Sequence, residues 1–311
     1  MQKNIIPVVF AVDENYMPYM SVAISSIVKN SNKSDFYRFY VLNIGIGKTL
    51  KEKLTDGENY SVEFIDVSKK LDEISGKLPL RDYYTNAIYF RLFIPSLFPE
   101  YDKIIYLDSD VVVLKSLSKI YNTDIKDNIL GVVADELLTT VDIFGRYSEE
   151  YLGIDRRNYF NSGVLLINAK KCREINLEGT FFKVMKKHKF IVAPDQDALN
   201  VMCKDKVHYF DLGWNKMPTK NEFNKKEIGL IHFNLSLKPW HYDDITYGEY
   251  FWEYAVNSPF YDKILDDYKH FSEEDKKKDI EAEKNLLRLA KSFLNDNFKL
   301  KRAKDECRGK N

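Results

Sequence analysis

Through the first two thirds of the chain, short apolar runs alternate with stretches whose apolar residues recur at helical spacing. Ile5–Ala11 predicts a strand and Tyr16–Lys29 a helix, and Tyr37–Asn43 and Val62–Asp66 predict two more strands with a charged segment between them. Thr85–Leu97 predicts an aromatic helix closed by Pro95 and Pro99. The apolar run Ile104 to Leu107, the acidic residues Asp108 and Asp110, and the run Val111 to Val113 predict strand, turn and strand. Further strands are expected at Leu130–Ala134, Gly163–Asn168, Val207–Phe210 and Gly229–Phe233, each ending at a polar residue or glycine able to face a ligand. This rhythm predicts an α/β fold, a sheet covered by helices. After about Phe251 the pattern turns to charged and aromatic helix formers, with Leu286, Leu287, Ala290, Phe293, Leu294 and Phe298 at helical spacing. A unit spanning 1–250 followed by a helical extension spanning 251–311 is therefore expected.

Composition narrows the function classes. The 311 residues are 44% hydrophobic and 14% aromatic, ample for a sizeable core. Lysine plus arginine and aspartate plus glutamate number 47 each, so the chain lacks the basic footprint of a general nucleic-acid binder. Cys172, Cys203 and Cys307 are widely spaced, which predicts reduced thiols in a cytoplasmic protein and excludes a zinc finger. The first apolar run ends at Asp13, too early for a signal peptide, and no segment reaches the roughly 18 apolar residues of a membrane span. From Lys284 onward basic residues outnumber acidic ones, so weak peripheral contact of the tail with the inner face of a membrane is one expectation and a docked helix with a solvated end is the other.

The Asp-x-Asp triplet recurs at Asp195 and Asp197, so the spacing alone is unspecific; the apolar flanks of Asp108 and Asp110 give that pair its weight. Two carboxylates at the carboxyl edge of a sheet, where open α/β folds bind ligands, can hold a divalent cation against a phosphate. A manganese-type ion also accepts imidazole, which His232 supplies at the end of its own apolar run. Lys238, six residues on, can neutralise a phosphate.

In order and spacing, these motifs resemble glycosyltransferase family 8, retaining enzymes similar to bacterial lipooligosaccharide galactosyltransferases and, more distantly, glycogenin. The resemblance runs from about residue 5 to 245 and implies a GT-A-like nucleotide-diphospho-sugar transferase fold. It assigns uridine contacts to Ala11, Asp13 and Asn15, and a donor contact to Arg91 in Tyr89-Phe90-Arg91-Leu92. Asp108, Asp110 and His232 take the metal, Mn2+ or Mg2+, and Asp108 also belongs to the donor set. Asp135 and Asn161 fall in two sugar-binding segments, and Asp195 and Gln196 lie near the anomeric carbon, so Asp195, Gln196 and Asp135 form the implied catalytic set. His232 and Lys238 fall on the pattern H-x-x-G-x-x-K-P-W, but Leu235 stands where the pattern has glycine. A glycine permits close backbone approach to a phosphate. Leu235 either displaces that loop or presents its amide differently.

The resemblance implies transfer of glucose or galactose from a UDP-sugar to a glycan or lipid-linked sugar acceptor contacted by variable loops such as Leu71–Tyr84, as in cell-envelope glycan synthesis. Its rival on the same fold is a catalytically weak nucleotide-sugar-binding protein. Taken one at a time, the residues have plainer readings. Asp13 and Asn15 suit the N-terminal cap of a helix, Arg91 a core-edge ion pair, Asn161-Ser162-Gly163 a turn, His232 a strand-end histidine and Trp240 packing behind Lys238. A haloacid-dehalogenase-like phosphatase also carries Asp-x-Asp after an apolar strand, but the downstream acidic segment it needs is missing.

Overall fold

The computed structural model describes residues 3–74, 86–188, 190 and 192–295. Nine strands are present among them: β1 (Asn4–Ala11), β2 (Asp35–Asn43), β3 (Tyr60–Asp66), β4 (Lys103–Leu107), β5 (Val111–Val113), β6 (Leu130–Ala134), β7 (Phe160–Asn168), β8 (Val207–Tyr209) and β9 (Leu230–His232). Seven form one mixed sheet in the order β3-β2-β1-β4-β7-β6-β8. β1 to β4 run parallel, β7 is antiparallel to β4 and β6, and β8 is parallel to β6.

Alternation along the strands builds a core on each face of this sheet. Val9, Leu42, Ile104, Tyr106, Leu165 and Ile167 point into one layer, and their neighbours Val8, Phe10, Val41, Ile105, Leu107, Val164 and Leu166 into the other. The central strands are buried on both faces, which explains their nearly unbroken apolar runs. β5 leaves the large sheet and pairs antiparallel with β9, setting Val111 opposite His232. The Asp-x-Asp turn therefore joins two sheets.

Two expectations need correction. The aromatic segment is not one helix: Asn86–Leu92 is a 3₁₀ helix and Ile94–Leu97 a separate α-helical turn. Pro95 has no N–H to donate, so it fits only the first turn of a new helix. Asn161-Ser162-Gly163 is strand, not turn. Asn161 pairs with Val133, and the Gly163 carbonyl accepts the Asp108 N–H at 2.8 Å, so the ladder runs through the polar triplet. The shift in register between Gly131 and Val133 takes up the irregularity.

The apolar stripe of the extension docks. The terminal helix, Glu273–Asn295, buries Ala290 completely and packs Leu286, Leu287 and Leu289 on the core. The side chains of Phe293, Leu294 and Phe298, the basic end from 296, Cys307, Thr85 and most of the Leu71–Tyr84 loop lie outside the described residues. Cys172 and Cys203 are buried. Among the described residues no helix is long and apolar enough to cross a membrane.

Candidate active site

At the carboxyl ends of β1 and β4, a chamber of about 300 Å³ collects most of the residues singled out in the sequence. Ala11, Asp13, Arg91, Asp108, Asp110, Asp135, Asn161, Asp195, Gln196, His232 and Lys238 all line it. Asn15 does not. It is exposed, and its backbone N–H and that of Tyr16 donate to the Asp13 carboxylate at 3.0 and 3.1 Å, the turn that starts the Met17–Lys29 helix.

Three ligand atoms from Asp108, Asp110 and His232 lie within 4.8 Å of one another, a donor set of two carboxylates and an imidazole suited to a divalent cation. Asp108 follows β4, Asp110 precedes β5 in the same turn and His232 ends β9. The Phe233 N–H donates to the Asp110 carbonyl at 2.9 Å and fixes the β9 end against the turn. His232 Nδ1 lies 2.9 Å from Asn215 Oδ1, while Nε2 faces Asp110 at 3.2 Å and Asp108 at 3.7 Å. With the Nδ1 proton on Asn215, Nε2 keeps its lone pair for a metal. Asn215 also donates to Asn161 at 2.9 Å, tying the imidazole to β7.

Gly163 makes this approach possible. A Cβ there would lie 2.4 Å from both Asp108 Oδ2 and His232 Cε1. The side chains that meet at the candidate metal position occupy the space any other residue would fill.

Arg91, on the 3₁₀ turn, is almost fully buried and joins the halves of the chamber. It donates to Asp108 at 3.1 Å, to the Ser162 hydroxyl at 2.8 Å and to the Ser162 carbonyl, and pairs with Asp195 at 3.4 Å. Its guanidinium also lies over the Tyr106 ring, whose hydroxyl donates to Asp108 at 2.7 Å. The plain ion-pair reading of Arg91 is thus present, and the paired acids are themselves chamber residues. Burial raises the Asp195 carboxyl above the ordinary aspartate value, Arg91 pulls it back and Asp108 adds to the rise.

Gln196 is held at both ends. Its oxygen accepts from the Ser162 N–H at 2.8 Å, and its nitrogen donates to Asp135 at 3.1 Å. Asp135 also accepts from Asn161 at 3.2 Å and caps the Glu136–Thr140 helix through the Leu137 N–H at 2.9 Å. Burial raises its carboxyl, against the pull of these bonds. Asp197 does not present a free carboxylate: it accepts from Tyr147 at 2.8 Å and Tyr159 at 2.6 Å, and burial pushes it up to about 6.

Lys238 is buried and bonded to the Asp110 carboxylate, with the Phe233 carbonyl as a second acceptor at 2.6 Å. Burial works against the Asp110 charge, yet Lys238 and His232 hold that carboxyl well below the usual range. Trp240 is a packing residue, stacked on Tyr19 at 3.9 Å between ring centres. Leu235 takes φ +53°, the left-handed conformation that glycine adopts at little cost. The loop thus keeps a glycine-like backbone while carrying a leucine side chain.

Sequence reasoning missed several supports. Lys216 is fully buried and pairs with Glu136 at 2.8 Å, and Glu136 also accepts the Met217 N–H at 3.0 Å. That pair clamps the segment beside Asp135 to Lys216, whose carbonyl receives the His232 N–H at 2.9 Å. Polar residues ending apolar runs, as at Asp135-Glu136 and Asn215-Lys216, were the one signal available.

Residues 7–244 match the model of glycosyl transferase family 8. Over 285 residues the chain is 30% identical to the lipopolysaccharide 1,2-glucosyltransferase of Escherichia coli strain K12, covering 86% of this chain and 82% of that one. The galactosyltransferase LgtC, solved in complex with donor and acceptor sugar analogs, superposes with a TM-score of 0.69 at 29% identity, covering 81% of this chain and 96% of LgtC. The bifunctional glycosyltransferase WbbM in its apo form gives a TM-score of 0.74 at 25% identity, covering 84% of this chain and 51% of WbbM. These neighbours carry the GT-A fold.

Two outcomes follow from this geometry. Gly163→Ala should weaken manganese-dependent UDP binding at least tenfold in isothermal titration, while the overpacking costs about 1–3 kcal/mol of stability; native affinity in the variant would refute the close-approach assignment. At residue 235, glycine removes a left-handed penalty of about 1–2 kcal/mol but loses side-chain burial and adds unfolded-state entropy of about 0.4–1 kcal/mol. In urea denaturation Leu235→Gly should therefore stay within about 1 kcal/mol of native, whereas Leu235→Val, β-branched at positive φ, should be clearly less stable. Equal stability of native and valine forms would contradict the conformation assigned to Leu235.

Proposed function

Since the chain belongs to glycosyl transferase family 8, we propose that it is a metal-dependent, retaining hexosyltransferase moving glucose or galactose from a UDP-sugar to a glycan or other sugar-containing acceptor. The observation that carries this reading is the convergence of Asp108, Asp110 and His232 in one chamber with Arg91 and Lys238. A nucleotide-diphosphate sugar needs positive charge at its pyrophosphate and carboxylates or amides at its sugar, and the chamber offers both in separate groups.

Asp108, Asp110 and His232 would hold the ion, and the donor set fits Mn2+ or Mg2+, with imidazole favouring the former. When bound, that ion supplies positive charge to the pyrophosphate oxygens. Ala11 and Asp13, which line the chamber at the end of β1, would contact the base and ribose. Arg91 orients Asp108 and Asp195 and keeps two like charges from facing each other unscreened. Asp135, Asn161 and Gln196 form a bonded network suited to fixing sugar hydroxyls.

In the transfer, the bond from the anomeric carbon to the β-phosphate oxygen breaks and a bond to the acceptor oxygen forms. The acceptor hydroxyl proton passes to the departing phosphate, and Lys238 stabilises the charge that develops there. Retention needs either same-face attack or two displacements through Asp195 or Gln196. The tight engagement of Asp195 with Arg91, and of Gln196 with Ser162 and Asp135, favours same-face attack, because neither side chain is free to advance on a sugar carbon. A cytoplasmic site of action, where UDP-sugars are available, belongs to the same proposal.

Asp110→Asn should raise the UDP dissociation constant at least tenfold with manganese present and leave the metal-free value nearly unchanged. Because Asp110→Asn deprives buried Lys238 of its partner, some loss of stability will accompany it; His232→Gln leaves that pair intact and should give the same loss of metal dependence. Native manganese dependence in both variants, read by isothermal titration, would refute the assignment.

A further inference from the structure

The terminal helix lies outside the segment matched by the family model, which ends at residue 244, yet it forms part of the same chamber. Asp279, Ala282, Glu283 and Leu286 line it, at spacings i, i+3, i+4 and i+7 that place them on one helical face. The helix is fastened on both sides of the opening. Towards the phosphate loop, Ser236 donates to Glu283, Tyr242 donates to Asp279 at 2.8 Å, and Phe271, just before the helix, stacks on His241 at 3.8 Å between ring centres. On the far side, Ala290 and its leucine neighbours pack on the core layer that includes Phe144, Tyr147 and Tyr151.

The chamber is chemically divided. Arg91, Lys238 and the three metal-ligand candidates serve a pyrophosphate. The remaining wall combines apolar Leu138, Phe144 and Leu286 with the exposed carboxylate of Glu283. A pyranose has matching chemistry: a face of C–H bonds that packs on aromatic and aliphatic carbon, and hydroxyls at its edge that donate to carboxylate.

We propose that this face of the terminal helix is the specificity wall of an acceptor subsite for a pyranoside, with Leu286 and Phe144 against the C–H face and Glu283 accepting from a hydroxyl. This rests on the donor-site reading above and adds the residues that select the acceptor. On this basis acceptor choice is written in the extension and donor handling in the family-matched segment.

The test compares the native chain with Ala282→Phe, which fills the wall, and Glu283→Gln, which keeps its shape and removes its charge. With manganese and UDP-glucose or UDP-galactose, transfer is measured to the methyl and octyl β-glycosides of glucose and galactose, alongside UDP binding by calorimetry and thermal melting. Ala282→Phe should raise the KM of every glycoside used by the native chain at least tenfold, and Glu283→Gln three- to tenfold with kcat within twofold, while UDP affinity stays within twofold of native. KM values within twofold of native in both variants would overturn the proposal. So would a native chain that binds UDP with manganese but glycosylates none of the four glycosides. A native chain that does not bind UDP with manganese would overturn the donor-site reading, and this inference with it.

Discussion

The site is governed by crowding of negative charge. Asp108, Asp110, Asp135 and Asp195 line one chamber, whose walls bring, among the described residues, only Arg91 and Lys238 as permanently charged cations. Carboxylates withdrawn from water at such spacing repel one another and lose hydration, so each must find a cation or several donors. Arg91 divides itself between Asp108 and Asp195, Lys238 takes Asp110, and Asp135 depends on neutral donors from Asn161, Gln196 and Leu137. The remaining deficit of positive charge lies at Asp108, Asp110 and His232, where the proposed divalent ion would complete the balance.

The fold exists around that balance. The break between β4 and β5 lets one strand enter the large sheet and the next pair with β9, so two acids one residue apart meet a histidine over a hundred residues away. Gly163 leaves the space where they meet, and Asn215 with the Lys216–Glu136 pair fixes the orientation from behind. The loop after β9 keeps its course because Leu235 accepts a left-handed backbone. That cost is small against the stacking of Trp240 on Tyr19 and the buried bonds of Lys238 that hold the same loop.

Much of this was legible in the sequence, for identifiable reasons. Apolar runs located all of the central strands, because residues buried on both faces leave an unbroken signal, and the acids and histidine that end such runs fall in the chamber together with Lys238. What failed was local chemistry overruled by pairing: Asn161-Ser162-Gly163 has turn composition, yet β4 and β6 hold it extended. The break at Phe93 and Pro95 was hidden by the aromatic content around it. Asn215, Lys216 and Gly163 carry no periodic signature, since their roles depend on neighbours across the sheet. The amphipathic stripe of the terminal helix revealed that one side must be covered, but not that its other residues would wall the chamber.

The central claim concerns a single ion shared by Asp108, Asp110, His232 and a pyrophosphate. Crystals grown with manganese and UDP, measured at the manganese absorption edge, test it most directly. The prediction is one anomalous peak coordinated by those three side chains and by oxygens of both UDP phosphates. A peak elsewhere, or UDP bound in the chamber with no manganese between its phosphates and these residues, would contradict it.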